Sequence, residues 1–158
     1  MSVLEISQIL PSILANFPGI SLVYLFGSQA TGETGPMSDF DLAIFEDSLE
    51  EENVIQAQFQ HALALALHTH RVDVVLLKRA PIELAYNIIA GGKLIYKRDA
   101  LTQVEFEAQV LGLYGDYLPV LRSQRDQILE GDENAKRIQR YREALGRTQR
   151  TLGPARTP

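Results

Sequence analysis

The sequence contains no cysteine. Disulfide bonds and thiolate metal sites are therefore excluded, and a chain of this kind suits a reducing compartment, so we expect a cytoplasmic protein. No apolar run approaches the ~20 residues that a helix needs to cross a bilayer. The N-terminal stretch MSVLEISQIL has no basic residue and does not resemble a secretory signal. With 46% hydrophobic and 22% charged residues, the composition is that of a globular protein with a real core.

Two common phosphate-binding motifs are also absent. No G-x-G-x-x-G follows the first apolar run, ISLVYLF, and no G-K-[ST] occurs anywhere in the chain. Because these glycine-rich loops define the two fold classes that use them, neither a dinucleotide-binding fold nor a P-loop NTPase is supported.

Basic residues are scarce except near the C-terminal end. The net charge is −5, but residues 1–130 carry 8 basic and 17 acidic side chains, whereas residues 131–158 carry 7 and 3. Proteins that bind nucleic acid usually present a basic face that displaces counterions, so direct nucleic-acid binding by the acidic body is not expected. The basic tail is interpreted either as a solvated helix face or as a surface that docks a partner.

The chain of 158 residues is long enough for one domain with an appended segment. Runs of β-branched and aromatic residues predict short strands at 20–26, 40–45, 71–77 and 93–97. Helical spacing of apolar residues predicts helices at 2–16, 50–68 and 81–89.

The region after Ala100 is predicted to be mostly helical. Interruptions are expected at Gly112, Gly115 and Pro119, and Gly131 is expected to end the region before one more solvated helix begins. We therefore divide the chain into a core of residues 1–98 and a C-terminal helical extension of residues 99–158, which ends in the basic tail.

Three aspartates are predicted to converge at one end of the sheet. Alternate residues of a strand share a face, so Asp39 and Asp41 point the same way. A helix of suitable length joins this strand to the one carrying Asp73, and such crossovers make the two strands parallel, which brings their beginnings together. The strand that ends before Gly27 is expected to run antiparallel to that of Asp41, because only a short connection separates them.

Hard oxygen ligands without histidine or cysteine favour Mg²⁺ or Mn²⁺. Gly27 allows the backbone to approach a phosphate closely, and Ser28 adds a hydroxyl beside it. Together with the three aspartates, these residues predict metal-dependent phosphoryl or nucleotidyl transfer, in which two ions serve the attacking and leaving oxygens.

The spacing of these residues is that of a known signature. Gly27-Ser28, ten intervening residues and then Asp39-x-Asp41, with Asp73 on a later strand, resembles the G-S-x10-D-x-D pattern of the DNA polymerase β-like nucleotidyltransferases. In size the chain most resembles the minimal nucleotidyltransferases, the MntA-type antitoxins that are paired with HEPN-domain toxins. The resemblance implies an α+β nucleotidyltransferase fold, with a small mixed β-sheet flanked by helices and a C-terminal helical extension.

The resemblance also implies a reaction and its residues. Such antitoxins transfer AMP from ATP to a tyrosine of the toxin, a ribonuclease, and silence it; toxin and antitoxin are expected to form a hetero-oligomer. Asp39 and Asp41 would bind both Mg²⁺ ions, Asp73 would bind the ion nearer the attacking hydroxyl, and Gly27 and Ser28 would hold the β- and γ-phosphates of ATP.

The chain departs from many relatives just after the Gly-Ser pair. Those relatives carry an arginine there, whereas this sequence has Gln29 and Thr31. The triphosphate contacts that the arginine would make are therefore left unassigned.

Other interpretations of these residues remain open at this stage. Asp39 and Asp41 also suit a helix cap or a turn after Pro36, and Asp73 also suits an ion pair with Arg71 or Lys78. The segment from His68 to His70 suits a cationic helix end better than a metal site. The aromatic residues from Phe106 to Tyr117 recur at helical spacing, which favours core packing.

Two other functions also fit the sequence. A small-molecule nucleotidyltransferase that modifies an antibiotic hydroxyl would need a second wall for its substrate, which so short a chain supplies only as a dimer. A non-catalytic antitoxin would block its partner by contact alone, but such a protein has no use for three converging carboxylates.

Overall fold

In this computed structural model the protein is described over residues 3–31, 39–47 and 52–151. The helices and strands, in chain order, are α1 (Val3–Leu14), β1 (Ile20–Phe26), α2 (Ser28–Thr31), β2 (Phe40–Glu46), α3 (Glu52–Ala66), β3 (Val72–Leu76), α4 (Ile82–Gly91), β4 (Lys93–Lys97) and α5 (Ala100–Thr151). Every predicted strand is present within one or two residues of its predicted bounds. None of the described helices is both long and apolar enough to span a membrane.

The four strands form one mixed sheet in the order β3-β2-β1-β4. β2 and β3 are parallel and are joined through α3, whereas β1 is antiparallel to both β2 and β4. The predicted β-α-β crossover and the predicted antiparallel pairing of the first two strands are therefore both confirmed. The α+β class with a small mixed sheet flanked by helices is confirmed with them.

Both faces of the sheet are covered by helices. Phe40, Leu42 and Ile44 of β2 face a core cluster that includes residues of α1 and α3, such as Leu10 and Phe59. The opposite face packs on α4 and on the beginning of α5, through these buried residues: Leu22, Tyr24, Ala43, Ala85, Ile88, Phe106 and Val110. Each large apolar side chain buried in this way stabilises the fold by roughly 1.5–3 kcal/mol. The aromatic residue Phe106 is thus a core residue, as its helical spacing predicted.

Helix α3 protects the edge strand β3. The side-chain amide of Gln56 donates to the carbonyl oxygen of Val74 at 2.5 Å, and that of Gln60 donates to the carbonyl oxygen of Val72 at 2.8 Å. An unpaired strand edge is a template for pairing with another chain, and these amides occupy two of its acceptors. The edge strand is therefore held firmly against the helix that connects it to β2.

The end of α3 is set by the backbone at His68. Its φ is 51°, in the left-handed region, and the amide of Thr69 donates to the carbonyl oxygen of Ala64 at 3.1 Å. Helices commonly end in this way, with a left-handed residue followed by an amide that donates to the carbonyl oxygen five residues earlier. The position of His68 therefore agrees with the helix-end interpretation of this segment.

A polar network joins β1, β4 and α5. The Tyr24 hydroxyl donates to Glu107 Oε1 at 2.7 Å, and the Gln103 amide donates to the same oxygen at 3.1 Å. Lys97 Nζ in turn donates to Gln103 Oε1 at 3.0 Å. Burial, followed by the contact with Glu107, raises the pKa of the Tyr24 hydroxyl, which therefore acts as a hydrogen-bond donor at neutral pH.

Arg98, which follows β4, binds Asp47, which follows β2. Two guanidinium nitrogens of Arg98 donate to the two carboxylate oxygens of Asp47 at 3.1 and 2.7 Å, and the Arg98 amide donates to the Ser21 carbonyl oxygen at 2.8 Å. The hydrogen bond from Arg98 holds the pKa of Asp47 below its usual range. This bidentate pair lies at the end of the sheet remote from the three aspartates.

The C-terminal region differs from its prediction. Helix α5 continues through Gly112, Gly115, Pro119 and Gly131, so the expected interruptions and the expected end at Gly131 were wrong. Glycine costs about 1 kcal/mol and proline about 3 kcal/mol in a helix interior, but the helix-forming residues around them are sufficient to carry the helix through. A residue that weakens a helix therefore does not by itself end the helix.

The chain divides into two compact units, Met1–Gly115 and Asp116–Pro158, and α5 contributes to both. The division into a core of residues 1–98 and an extension of residues 99–158 stays a prediction. In the second unit, Lys136 pairs with Asp132 one helical turn earlier at 2.7 Å. Most side chains of the basic tail lie outside the described residues, as does most of the loop between Ser28 and Asp39.

Candidate active site

Asp41 and Asp73 lie side by side on neighbouring parallel strands. Asp41 is the second residue of β2, Asp73 is the second residue of β3, and the register of the two strands pairs them directly. Asp39 comes immediately before β2, two positions from Asp41. The crossover argument from the sequence therefore placed the backbones of all three aspartates correctly at the beginnings of these strands. The helix-cap interpretation of Asp41 is wrong, because that residue lies within a strand.

Gly27 closes the site on its β1 side. Phe26, the last residue of β1, pairs in register with Asp41, and the next residue, Gly27, has a φ of +68°. A Cβ placed on Gly27 would overlap the carboxylate oxygen Oδ2 of Asp41 and lie 3.1 Å from its Cγ. The Gly27 backbone therefore lies so close to the Asp41 carboxylate that a side chain at this position would have to displace it.

Ser28 follows at the beginning of the short helix α2. The Ala30 amide donates to the Gly27 carbonyl oxygen at 3.1 Å, which makes this segment a tight turn. The sequence predicted a turn here but not the single helical turn that continues to Thr31. Ser28 is half-buried and lies one residue from the point where Gly27 touches Asp41.

The charges of the three aspartates act on one another. Burial raises the pKa of Asp41, and the nearby negative charges of Asp73 and then Asp39 raise it further. Asp41 is half-buried, whereas Asp39 and Asp73 are exposed. Burial and the neighbouring charges therefore disfavour the ionised form of Asp41, and a divalent cation held among the three aspartates would offset the repulsion.

The side chains of the three aspartates do not, as they stand, form a complete metal site. Within residues 3–31, 39–47 and 52–151, no group of three or more acidic or histidine side chains has its ligand atoms gathered closely enough to hold an ion as they stand. The strand register nevertheless fixes the backbones of Asp41 and Asp73 side by side, and a side chain on a fixed backbone can adopt other staggered rotamers. Gathering the carboxylate oxygens around an ion would therefore require the side chains to rotate on this fixed backbone. An all-carboxylate donor set fits Mg²⁺ or Mn²⁺.

Arg71 and Lys78, the two possible ion-pair partners of Asp73, lie near opposite ends of β2. Lys78 Nζ lies over the ring of Phe45, 5.6 Å from its centroid, near the other end of β2. The carbonyl oxygen of Arg71 accepts a hydrogen bond from the Phe40 amide at 2.9 Å, so Arg71 lies beside the beginning of β2.

The sequence matches one protein family model and is similar to two named proteins. Residues 8–101 match the family model described as "Polymerase beta, Nucleotidyltransferase", a stretch that contains all three aspartates and the Gly-Ser pair. A protein adenylyltransferase MntA of Shewanella oneidensis is 32% identical over 97 residues, which are 61% of this chain and 68% of that protein. A protein adenylyltransferase MntA of Aphanizomenon flos-aquae is 24% identical over 118 residues, which are 70% and 79% of the two chains.

Solved structures share the fold. A toxin–antitoxin structure with AMP-PNP superposes with a TM-score of 0.68 at 23% identity and covers 78% of this chain and 98% of the other. A tri-AMPylated Shewanella oneidensis HEPN toxin in complex with its MNT antitoxin gives a TM-score of 0.64 at 23% identity, covering 82% and 99%. From the matched family model and the MntA relatives, we conclude that this chain belongs to the polymerase β nucleotidyltransferase family, as an MntA-type minimal nucleotidyltransferase.

Proposed function

We propose that this protein is an antitoxin that transfers AMP from ATP to a tyrosine hydroxyl of a cognate HEPN-type ribonuclease toxin, and so neutralises it. The observation that carries the proposal is the pairing of Asp41 with Asp73 on adjacent parallel strands, with Gly27 packed against Asp41. The Shewanella oneidensis relative is named a protein adenylyltransferase, and a HEPN toxin is AMPylated in one of the structures that share the fold. The two proteins are expected to work as a hetero-oligomer.

Three aspartates would hold the metal ions of this reaction. Asp39 and Asp41 would bind both ions, and Asp73, on the outer strand, would bind the one nearer the acceptor. When bound, two Mg²⁺ ions would neutralise phosphate charge and favour the ionised form of the acceptor hydroxyl. Binding them would also offset the negative charges of Asp73 and Asp39, which, together with the larger effect of burial, raise the pKa of Asp41.

The Gly-Ser pair would hold the nucleotide. Gly27 has no side chain and is exposed, so the β- and γ-phosphates could approach its backbone closely, and Ser28 would supply a hydroxyl donor. The acceptor oxygen forms a bond to the α-phosphorus, the bond between that phosphorus and the bridging oxygen breaks, and pyrophosphate leaves. Positioning and charge neutralisation carry most of the catalysis in such a transfer.

Labelled nucleotide tests the proposal. The protein is incubated with α-labelled ATP, Mg²⁺ and the HEPN-type protein encoded beside its gene, and label on that protein is expected. The double variant Asp39→Asn, Asp41→Asn should lose the transfer, whereas the control double variant Glu83→Gln, Glu105→Gln, which removes two exposed charges from α4 and α5, should retain it.

Two outcomes would overturn this function. Absence of label with the unaltered protein, or full labelling by the Asp39→Asn, Asp41→Asn variant, would refute AMP transfer by this site. If the inactive variant still neutralised the toxin in cells, contact alone would account for protection.

A further inference from the structure

The second compact unit is a single helix in the part of the chain that the structure describes. The unit spans Asp116–Pro158, and α5 continues through it to Thr151. At a rise of about 1.5 Å per residue, this part of α5 is about 54 Å long. Most helical stability in proteins comes from packing an amphipathic face rather than from helix propensity. The described part of this unit contains no second helix or strand that could supply such packing.

An apolar seam runs along this part of α5. Its positions recur alternately four and three residues apart: Tyr117, Leu121, Gln124, Ile128, Gly131 and Ala135. Four of these six residues are apolar, and Ile128 is 71% exposed. This spacing is the one by which two helices pack their side chains knobs-into-holes along a common seam. The seam therefore fits a second helix lying alongside α5.

The charge of α5 changes sign along the same unit. Residues 116–133 carry 5 acidic and 2 basic side chains, whereas residues 134–151 carry 1 acidic and 6 basic. Within one copy the two halves meet only at their boundary, where Lys136 pairs with Asp132 at 2.7 Å. The middles of the halves are about 27 Å apart along the helix, whereas salt screens exposed charges beyond about 8–10 Å. One copy therefore cannot neutralise its own two halves.

A second copy of this chain fits both the seam and the charges. In an antiparallel pair related by a two-fold axis, each seam contacts the other, and the acidic half of each helix lies beside the basic half of its partner. In a parallel pair, halves of the same sign would lie side by side and repel. Self-pairing in the antiparallel direction is therefore the arrangement that the sequence of this unit favours.

We propose that residues 116–151 form an antiparallel helix pair with the same segment of a second copy, which makes the protein a two-fold dimer through this unit. The matched family model ends at residue 101, so this surface lies outside the matched region. The pairing does not depend on the proposed function, whose residues all belong to the first unit.

Sedimentation equilibrium of the full chain tests the pairing. A dimer that dissociates on dilution is expected, and Ile128→Gln should raise its dissociation constant at least about tenfold, because each copy loses an apolar seam contact. Leu129→Gln is the matched control: this residue is adjacent, 58% exposed and outside the seam, so the constant should stay within about twofold. Circular dichroism checks that both variants keep their fold. A monomer at every concentration, or equal effects of the two substitutions, would overturn the pairing.

Cysteine cross-linking tests the direction of the pair. The natural chain has no cysteine, so a single introduced one is unique. In the antiparallel pair Ala135 lies next to the two-fold axis, whereas the two copies of Gln124 are about 30 Å apart along the helices. A short bifunctional maleimide should therefore join two copies of Ala135→Cys but not two copies of Gln124→Cys. Cross-linking of Gln124→Cys, or none with Ala135→Cys, would contradict the antiparallel pair.

Discussion

Gly27 lies against the carboxylate of Asp41, so closely that a Cβ at this position would overlap Oδ2 of the aspartate. The contact joins two segments that are separated along the chain by a dozen residues, the end of β1 and the beginning of β2. The φ of Gly27 is +68°, a backbone conformation that favours glycine, and a Cβ at this position would have to displace the Asp41 carboxylate. This contact connects the proposed phosphate-binding turn directly to the proposed metal site.

Replacing Gly27 by alanine should disable the site at a limited cost in stability. The new Cβ would displace the Asp41 carboxylate and strain the backbone, so we expect a loss of AMP transfer of about 100-fold and a loss of about 1–3 kcal/mol of unfolding free energy. Transfer assays and urea denaturation measure the two effects. Gly91→Ala is the matched control, since a Cβ there meets nothing within 4 Å. Wild-type activity in Gly27→Ala would show that the contact has no functional role.

Asp41→Asn should stabilise the metal-free protein at neutral pH. The raised pKa of Asp41 means that the native state favours the protonated carboxyl, so the stability this gives is present below the usual aspartate range and is lost as pH rises through the raised pKa. Asparagine avoids the loss, and its advantage should vanish on acidification. Thermal unfolding across pH measures this; added Mg²⁺ should raise the Tm of the unaltered protein but not of the variant. Equal stability of the two proteins at pH 7 would contradict the electrostatic description.

Asp47→Asn should have the opposite pH dependence. Hydrogen bonding to Arg98 lowers the pKa of Asp47, so its stabilising effect is present above the usual aspartate range and disappears as pH falls through the lowered pKa. Both partners are partly exposed, and the expected loss at pH 7 is therefore at most about 1 kcal/mol. Urea denaturation at several pH values measures it. A loss that persists in acid would mean that packing, and not the ion pair, is what the substitution removes.

Tyr24→Phe tests the network that joins β1 to α5. The hydroxyl donates to Glu107 from a buried position, and its removal leaves a carboxylate without one of its donors, so we expect a loss of about 1–3 kcal/mol. Tyr96→Phe provides the comparison, since no hydrogen bond from its hydroxyl to another described residue occurs. Denaturation curves that coincide for Tyr24→Phe and the unaltered protein would show that the contact contributes nothing measurable.

The sequence was sufficient to predict where the aspartates meet, because the argument needed only strand alternation and a parallel crossover. Asp73 is far from Asp41 in the chain, yet a helix between two strands leaves few alternatives for their relative direction. The backbone register then follows within one residue.

Contacts between individual atoms could not be predicted in this way. The overlap of a Gly27 Cβ with Asp41, the Gln56 and Gln60 amides on β3, and the bidentate pair of Arg98 with Asp47 all depend on rotamers and on distances of a few tenths of an ångström. The continuity of α5 was missed for another reason: Gly112 and Pro119 reduce helix stability, but whether they end a helix depends on the sum over all its residues.

The position of the label in ATP tests the central claim most directly. The protein, Mg²⁺ and the HEPN-type acceptor are incubated in parallel with α-labelled and with γ-labelled ATP. Attack at the α-phosphorus predicts label on the acceptor only with α-labelled ATP, and labelled pyrophosphate in solution with γ-labelled ATP. Label on the acceptor from γ-labelled ATP would instead show phosphoryl transfer and would contradict the account.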